Sequence, residues 1–276
     1  EAARAMTYRV EVRHPGRVEL SLGEWLETTS KTGAQRQINA PAAPDLLALA
    51  RDRSAATAPA REFWANAVFL RLSPAQLGGG ATPFRGSLEP ILDEEGRQLA
   101  RLLKSLSPAQ ITRLVERVGE LVPGMSGLVV NDPGEGMELH YALVEELPRE
   151  AGKRVRKHEV PAWMLSEGTR RIVAILALLE CSPAPSLLCI EEIENGLDPW
   201  VVQRIVQHLR AASSQGVQVI VTTHSPWLLD DVPLDDILYV ERAGGETQYK
   251  RFADMDAVRA FSPYVPPGTR YVQGLS

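Results

Sequence analysis

Two short apolar runs, each stopping abruptly at polar side chains, restrict this chain more than any other feature. Leu187-Leu188-Cys189-Ile190 ends at Glu191-Glu192, and Val217–Val221 ends at Thr222-Thr223-His224. Runs of this length and character are expected of strands buried on both faces. Between them, Val201–Leu209 has the spacing of an amphipathic helix. Strand, helix, strand with short connections predicts a right-handed parallel crossover and an α/β layer. The polar residues would then line the crevice at the carboxyl ends of the strands, where such sheets bind ligands. Trp227–Leu229 reads as a short helix or turn, and Ile237–Val240 as a third strand.

The remainder of the chain is less regular. Tyr8, Val10, Val12 and then Val18, Leu20, Leu22 alternate with polar residues, as in half-buried antiparallel strands, with His14-Pro15-Gly16 as the turn. Residues 31–60 read as loop with a short helix near Leu46–Ala50. Phe63–Leu72 fits a strand or a helix equally well, and Leu77–Gly86, with Gly78-Gly79-Gly80, reads as a flexible connection. Leu88 to Val122 carries helical spacing, divided at Ser107-Pro108, an N-cap followed by a first-turn proline, and ended by Pro123-Gly124. Leu128–Val130 and Met137–Val144 read as a strand pair turned at Asn131–Gly134. The basic run Arg149, Lys153, Arg154, Arg156, Lys157 suits a solvated strand face better than a contact to DNA.

Composition narrows the class. With 276 residues, 44% apolar and 24% charged, one large domain or two smaller ones can bury a core, which excludes a disordered chain or a disulfide scaffold. A net charge of −5 argues against coating nucleic acid by bulk charge. Cys181 and Cys189, in apolar surroundings without ligand spacing, point to a reducing, cytoplasmic setting and no cysteine-based metal site. No apolar run is long enough for a transmembrane helix, so no membrane association is expected. The first residues lack both an initiator Met and a signal peptide, and a strand is already under way at Tyr8, so the chain is expected to begin partway through a longer protein.

Three segments carry chemistry. Leu165-Ser166-Glu167-Gly168-Thr169-Arg170-Arg171 opens a helix, whose free N–H groups, Ser166 hydroxyl and close backbone approach at Gly168 suit a phosphate. Taken alone, an ordinary N-cap and a tight turn explain it better. Glu191 and Glu192 at a strand end can divide the work of holding Mg²⁺ and polarising a water, although an acidic strand end is common. His224 can contact a terminal phosphate, although a lone histidine there is more often a structural hydrogen-bonder.

Taken in order, these segments resemble the C-terminal half of an ABC-type ATPase head. Leu165–Arg171 is similar to the signature motif, Leu187–Glu192 to a Walker B strand, Asn195-Gly196-Leu197-Asp198-Pro199 to the D-loop, and His224 to the switch histidine. Glu191–Pro199 and Thr222–Pro226 look most like the RecF/SMC-related, predicted AAA-type ATPase branch, and the resemblance is close from about residue 155 onward. It implies a P-loop NTPase fold of the ABC-ATPase kind: a parallel sheet with flanking helices, an antiparallel β segment and a helical lid insertion. The corresponding divisions are residues 1–75, an antiparallel β part and linker; 76–125, the helical lid; and 126–276, the ATPase core.

The resemblance also implies roles. Glu191 would hold Mg²⁺, Glu192 would be the general base, and His224 would contact the γ-phosphate. Asp198 would help shape the water site and communicate across a dimer. Ser166, Glu167 and Gly168 would meet ATP held by a second copy, so that two heads sandwich two nucleotides in a homodimer. DNA or an effector protein is an expected further partner. The family usually has Asp where this chain has Glu191, a change that a water-mediated Mg²⁺ contact tolerates.

No G-x-x-x-x-G-K-[ST] loop occurs in these 276 residues. In the family it lies on the first strand–helix unit, so truncation upstream is expected, with little turnover from the chain alone. Two alternatives stay open: a degenerate, non-hydrolysing dimerisation or partner-binding module, and a metal-dependent phosphoesterase built on Glu191, Glu192, Glu194, Asp198 and His224.

Overall fold

The computed structural model describes residues 57–83, 91–134, 136–147 and 156–274, together with the backbone of 6–13 and 21–28. The turn at His14–Gly16, the helix near Leu46–Ala50 and the basic residues Arg149, Lys153 and Arg154 lie outside the described residues. The chain forms two compact units, residues 1–67 and 68–276.

In the first unit, β1 (Met6–Arg13) pairs antiparallel with β2 (Ser21–Thr28), with Val10 opposite Glu24. Helix α1 (Ala58–Ala65) follows, with Pro59 in its first turn. The undecided segment 63–72 therefore resolves into both structures: the helix closes at Asn66 and β3 (Ala67–Leu70) begins at once.

The second unit is organised around one helix. After α2 (Pro74–Leu77), α3 (Leu99–Ser105) and α4 (Pro108–Leu121), an antiparallel sheet of β4 (Met125–Asn131), β5 (His140–Leu147) and β6 (Arg156–Pro161) leads to α5 (Glu167–Leu179). Every residue from Ile172 to Leu178 of α5 is buried, which is why its apolar positions run all round rather than along one stripe. Helices α2, α3, α4 and α6 (Pro199–Ser214) pack on it. Helix α4 starts at a reciprocal cap: the Ser107 hydroxyl accepts from the Gln110 N–H, and the Gln110 side chain accepts from the Ser107 N–H.

β7 (Leu187–Ile190) and β8 (Gln218–Val221) pair in parallel, Cys189 opposite Ile220, with α6 as the crossover. With β3 they make a three-stranded sheet in the order β3-β7-β8. The chain continues through α7 (Pro226–Leu229), β9 (Leu238–Ala243), β10 (Glu246–Arg251), α8 (Asp256–Arg259) and α9 (Pro267–Gly274).

Four sequence expectations are revised. Of the helix expected from Leu88, residues 88–90 lie outside the described residues, and among those described from residue 91 the helix starts at Leu99, because Asp93–Gly96 forms a turn, with Gly96 at φ +83° and the Asp93 carboxylate accepting the Arg97 N–H. The Gly78–Gly80 connection is packed: a Cβ on Gly78 would strike Arg170, and one on Gly80 would strike Glu138. Its neighbour Ala81 bridges Leu139. β8 is half exposed, with Ile220 49% accessible, because among the described residues it is the outer strand of its sheet. Finally, β9 pairs antiparallel with β10 rather than joining the parallel layer, turned by Gly244 and Gly245, both at positive φ.

Candidate active site

The carboxyl ends of β3 and β7 open on a cleft of about 480 Å³ whose walls include Arg71, Glu94, Arg171, Glu191, Glu192 and Asn195. Successive residues on a regular strand point to opposite faces, so Glu191 and Glu192 should diverge. Both nevertheless line this cleft; Glu192 has φ +46° and is the sole non-glycine residue with positive φ among the described residues. Such a conformation costs about 1–3 kcal/mol and persists only when its surroundings enforce it. Here they do. The Glu192 N–H donates to Thr222 Oγ1 at 2.9 Å, and the Asn195 N–H donates to the Glu192 carbonyl at 3.0 Å. The Asn195 side-chain amide also donates to Glu192 Oε2.

The second loop, after β8, is tied to the first. Ile193 N–H donates to the Thr222 carbonyl at 3.2 Å, and His224 N–H donates to Glu194 Oε1 at 2.6 Å. Glu192 and His224 therefore belong to one hydrogen-bonded pair of loops, with the His224 side chain exposed beyond them.

Two arginines balance the acids. Arg71, just past β3, lies 3.6 Å from Glu191 Oε2, and both side chains are more than half exposed. Arg171 reaches the cleft from α5 and is buried, its Nη2 donating to the Leu72 carbonyl at 2.8 Å. Burial lowers the Arg171 pKa, while the charges of Glu167 and Glu192 oppose that shift. The segment that replaces the start of the expected helix also joins this wall: Arg71 N–H donates to the Glu94 carbonyl and Ser73 N–H to that of Glu95.

Ser166, Glu167, Gly168 and Asp198 form a separate group. Ser166 caps α5, its Oγ accepting the Thr169 N–H at 3.1 Å, and it remains exposed. Asp198 caps α6 by accepting the Trp200 N–H at 2.9 Å. Gly168 lies against Gly196, so the helix start and the loop before α6 present one continuous surface. None of these four residues lines the cleft.

Sequence reasoning included Arg171, Asn195 and Thr222 only as members of longer segments, with no role of their own, and did not single out Arg71. Arg171 carried a signal, since it directly precedes the apolar Ile172-Val173 pair of a helix that is otherwise core. Arg71 carried none, because the strand that delivers it was itself ambiguous.

The donors present fit a hard divalent cation only in part. Among the described residues no three His, Cys, Asp or Glu side chains gather to hold a metal ion. Glu191 offers one half-exposed carboxylate, which suits Mg²⁺ held by one protein ligand, water and phosphate oxygens, rather than a metal caged by protein.

Comparison with known proteins places the chain in a family. The family model described as "AAA domain, putative AbiEii toxin, Type IV TA system" matches residues 17–230. A "putative ABC transporter ATP-binding protein" of Methanothermobacter marburgensis is 30% identical over 139 residues, 47% of this chain and 48% of that protein. The energy-coupling factor transporter ATP-binding protein EcfA of Methanococcus maripaludis is 29% identical over 111 residues, 38% of each. The chain thus spans about half or less of these relatives. The SMC head domain of Thermotoga maritima superposes with a TM-score of 0.38 at 14% identity, over 91% of this chain and 74% of that one.

Proposed function

We propose, from the premise that this chain belongs to the family described as AAA domain, putative AbiEii toxin, Type IV TA system, that it supplies the hydrolytic half of an ABC-type ATP-hydrolysing head. The observation that carries the reading is that Glu191 and Glu192, the latter on a left-handed backbone, line one cleft.

In this reading Glu191 would hold Mg²⁺, which would supply neutralisation of phosphate charge. Glu192 accepts the proton of the attacking water, and Asn195, donating to Oε2, leaves the other oxygen to face that water. His224 stands on the adjoining loop, where its imidazole can donate to a terminal phosphate oxygen. Exposed Ser166 and half-buried Gly168, both outside the cleft, suit the nucleotide of a second copy, as expected of a head-to-head homodimer. Asp198, on the same surface, would communicate across it. DNA or an effector protein would bind elsewhere on the assembly. No helix among the described residues is long and apolar enough to cross a membrane.

The test uses Glu192→Gln in the natural full-length protein. ATP turnover should fall by about 100-fold or more, the scale of losing a general base. ATP-bound dimers should accumulate in size-exclusion chromatography. Parental turnover in that variant would remove Glu192 from the base role.

A further inference from the structure

Three hydrogen bonds join the loop after β7 to the loop after β8, and they are not alike. Two use Thr222, whose Oγ1 and carbonyl accept from the N–H groups of Glu192 and Ile193. These sit where the strands end, and the backbone bond from Ile193 continues the sheet's own pairing, as does the Thr222 N–H to the Ile190 carbonyl at 2.9 Å. The third lies beyond the sheet, where the Glu194 carboxylate crosses to accept the His224 N–H at 2.6 Å. The other oxygen, Glu194 Oε2, is buried with no hydrogen-bond partner. Holding a carboxylate in that state opposes stability. A polar contact retained against such a cost is better explained by what it positions than by what it stabilises.

We propose that Glu194 is a positioning residue: by accepting the His224 backbone N–H, it fixes the loop that presents the His224 imidazole beside Glu192. The inference rests on the ATPase reading above for the role of His224, but the contact itself does not. The loop has little else to hold it. Its other bonds among the described residues are local, Ser225 N–H to Thr223 Oγ1 at 2.9 Å and Leu228 N–H to the Ser225 carbonyl at 3.2 Å, and neither engages His224, which is exposed, as is Thr222. The Glu194 carbonyl meanwhile accepts the Leu197 N–H at 3.0 Å, so the residue is anchored in the segment leading to Asp198. Displacing the imidazole by about 1 Å is enough to cost on the order of 100-fold in rate.

Two measurements on the natural full-length protein decide the matter. In amide hydrogen exchange, Glu194→Ala should speed exchange at His224 at least tenfold and leave the amides of Glu192 and Ile193 near their parental rates. Unchanged exchange at His224 overturns the proposal whatever the turnover. In steady-state ATP hydrolysis, E194A and H224A should each lower kcat by about 100-fold with KM nearly unchanged. The double variant should be no slower than H224A alone, because both changes remove one function. E194Q, which keeps an acceptor oxygen, should recover at least tenfold of the loss, so a mere folding defect is told apart. Losses that multiply in the double variant overturn the proposal. Faster exchange with parental turnover in both single variants refutes a catalytic role for His224, and the positioning role falls with it.

Discussion

Gly168 and Gly196 meet so closely that a Cβ on Gly168 would lie 2.6 Å from the Gly196 carbonyl oxygen. The obstacle is backbone and not a side-chain end that can swing away. Gly196 itself has φ +69°, so the loop carrying that carbonyl is held in a left-handed turn. Gly168→Ala should therefore push the loop from Glu194 to Asp198 off the start of α5. The expected loss is about 1–3 kcal/mol, as for other overpacked sites. Urea unfolding measures it, and a midpoint equal to the parent's would show that the contact yields freely.

Glu180 closes the end of α5 and is 3% exposed in its side chain. Arg113 Nε donates to Oε2 at 2.8 Å, and Arg117 lies 2.8 Å from Oε1, an ion pair without hydrogen-bond geometry. Both arginines stand on α4, so the buried acid joins the helical pair to the central helix. Glu180→Ala should cost roughly 1.5–3 kcal/mol, the range for a hydrogen bond to a charged group. Partial solvent screening of the arginines places it toward the lower end. Glu180→Gln keeps an acceptor and should cost less. Equal thermal unfolding of the alanine variant and the parent would count against this linkage.

Arg71 faces the carboxylate assigned to Mg²⁺, in an exposed pair that contributes little to stability. Arg71→Ala should leave the melting temperature within a degree or two. Removing a competing cation beside Glu191 should, however, lower the Mg²⁺ concentration for half-maximal ATP turnover by several-fold in the full-length protein. An unaltered Mg²⁺ curve would mean that the two charges do not compete.

His208 on α6 has its pKa lowered, chiefly by burial and further by Arg117 and Arg204, against the opposing charge of Glu120. Its folded pKa thus lies below the unfolded value of about 6.5. As pH falls through that value, the unfolded chain takes up a proton that the folded chain still refuses, so stability declines. The melting temperature should drop on acidification below about pH 6.5, and His208→Gln should flatten that decline. Identical pH profiles for parent and variant would place the acid sensitivity elsewhere.

Much of this arrangement was legible in the residues. The abrupt ends of Leu187–Ile190 and Val217–Val221 placed Glu191, Glu192 and His224 at one sheet edge, because strand burial and strand ends are local consequences of hydrophobic patterning. The caps at Ser107, Ser166 and Asp198 needed only their immediate neighbours. Whether two adjacent glutamates share a cleft is not a local matter. Glu192 has a left-handed backbone that Thr222, thirty residues away, helps to hold. Arg71 and Arg171 enter the same cleft from a strand and a helix a hundred residues apart, so no window of sequence contains them together. Patterning fixed which groups stand at the ends of the elements, since it acts over a few residues. Only tertiary packing chose which of those groups face one another, since that choice is made by contacts between distant segments.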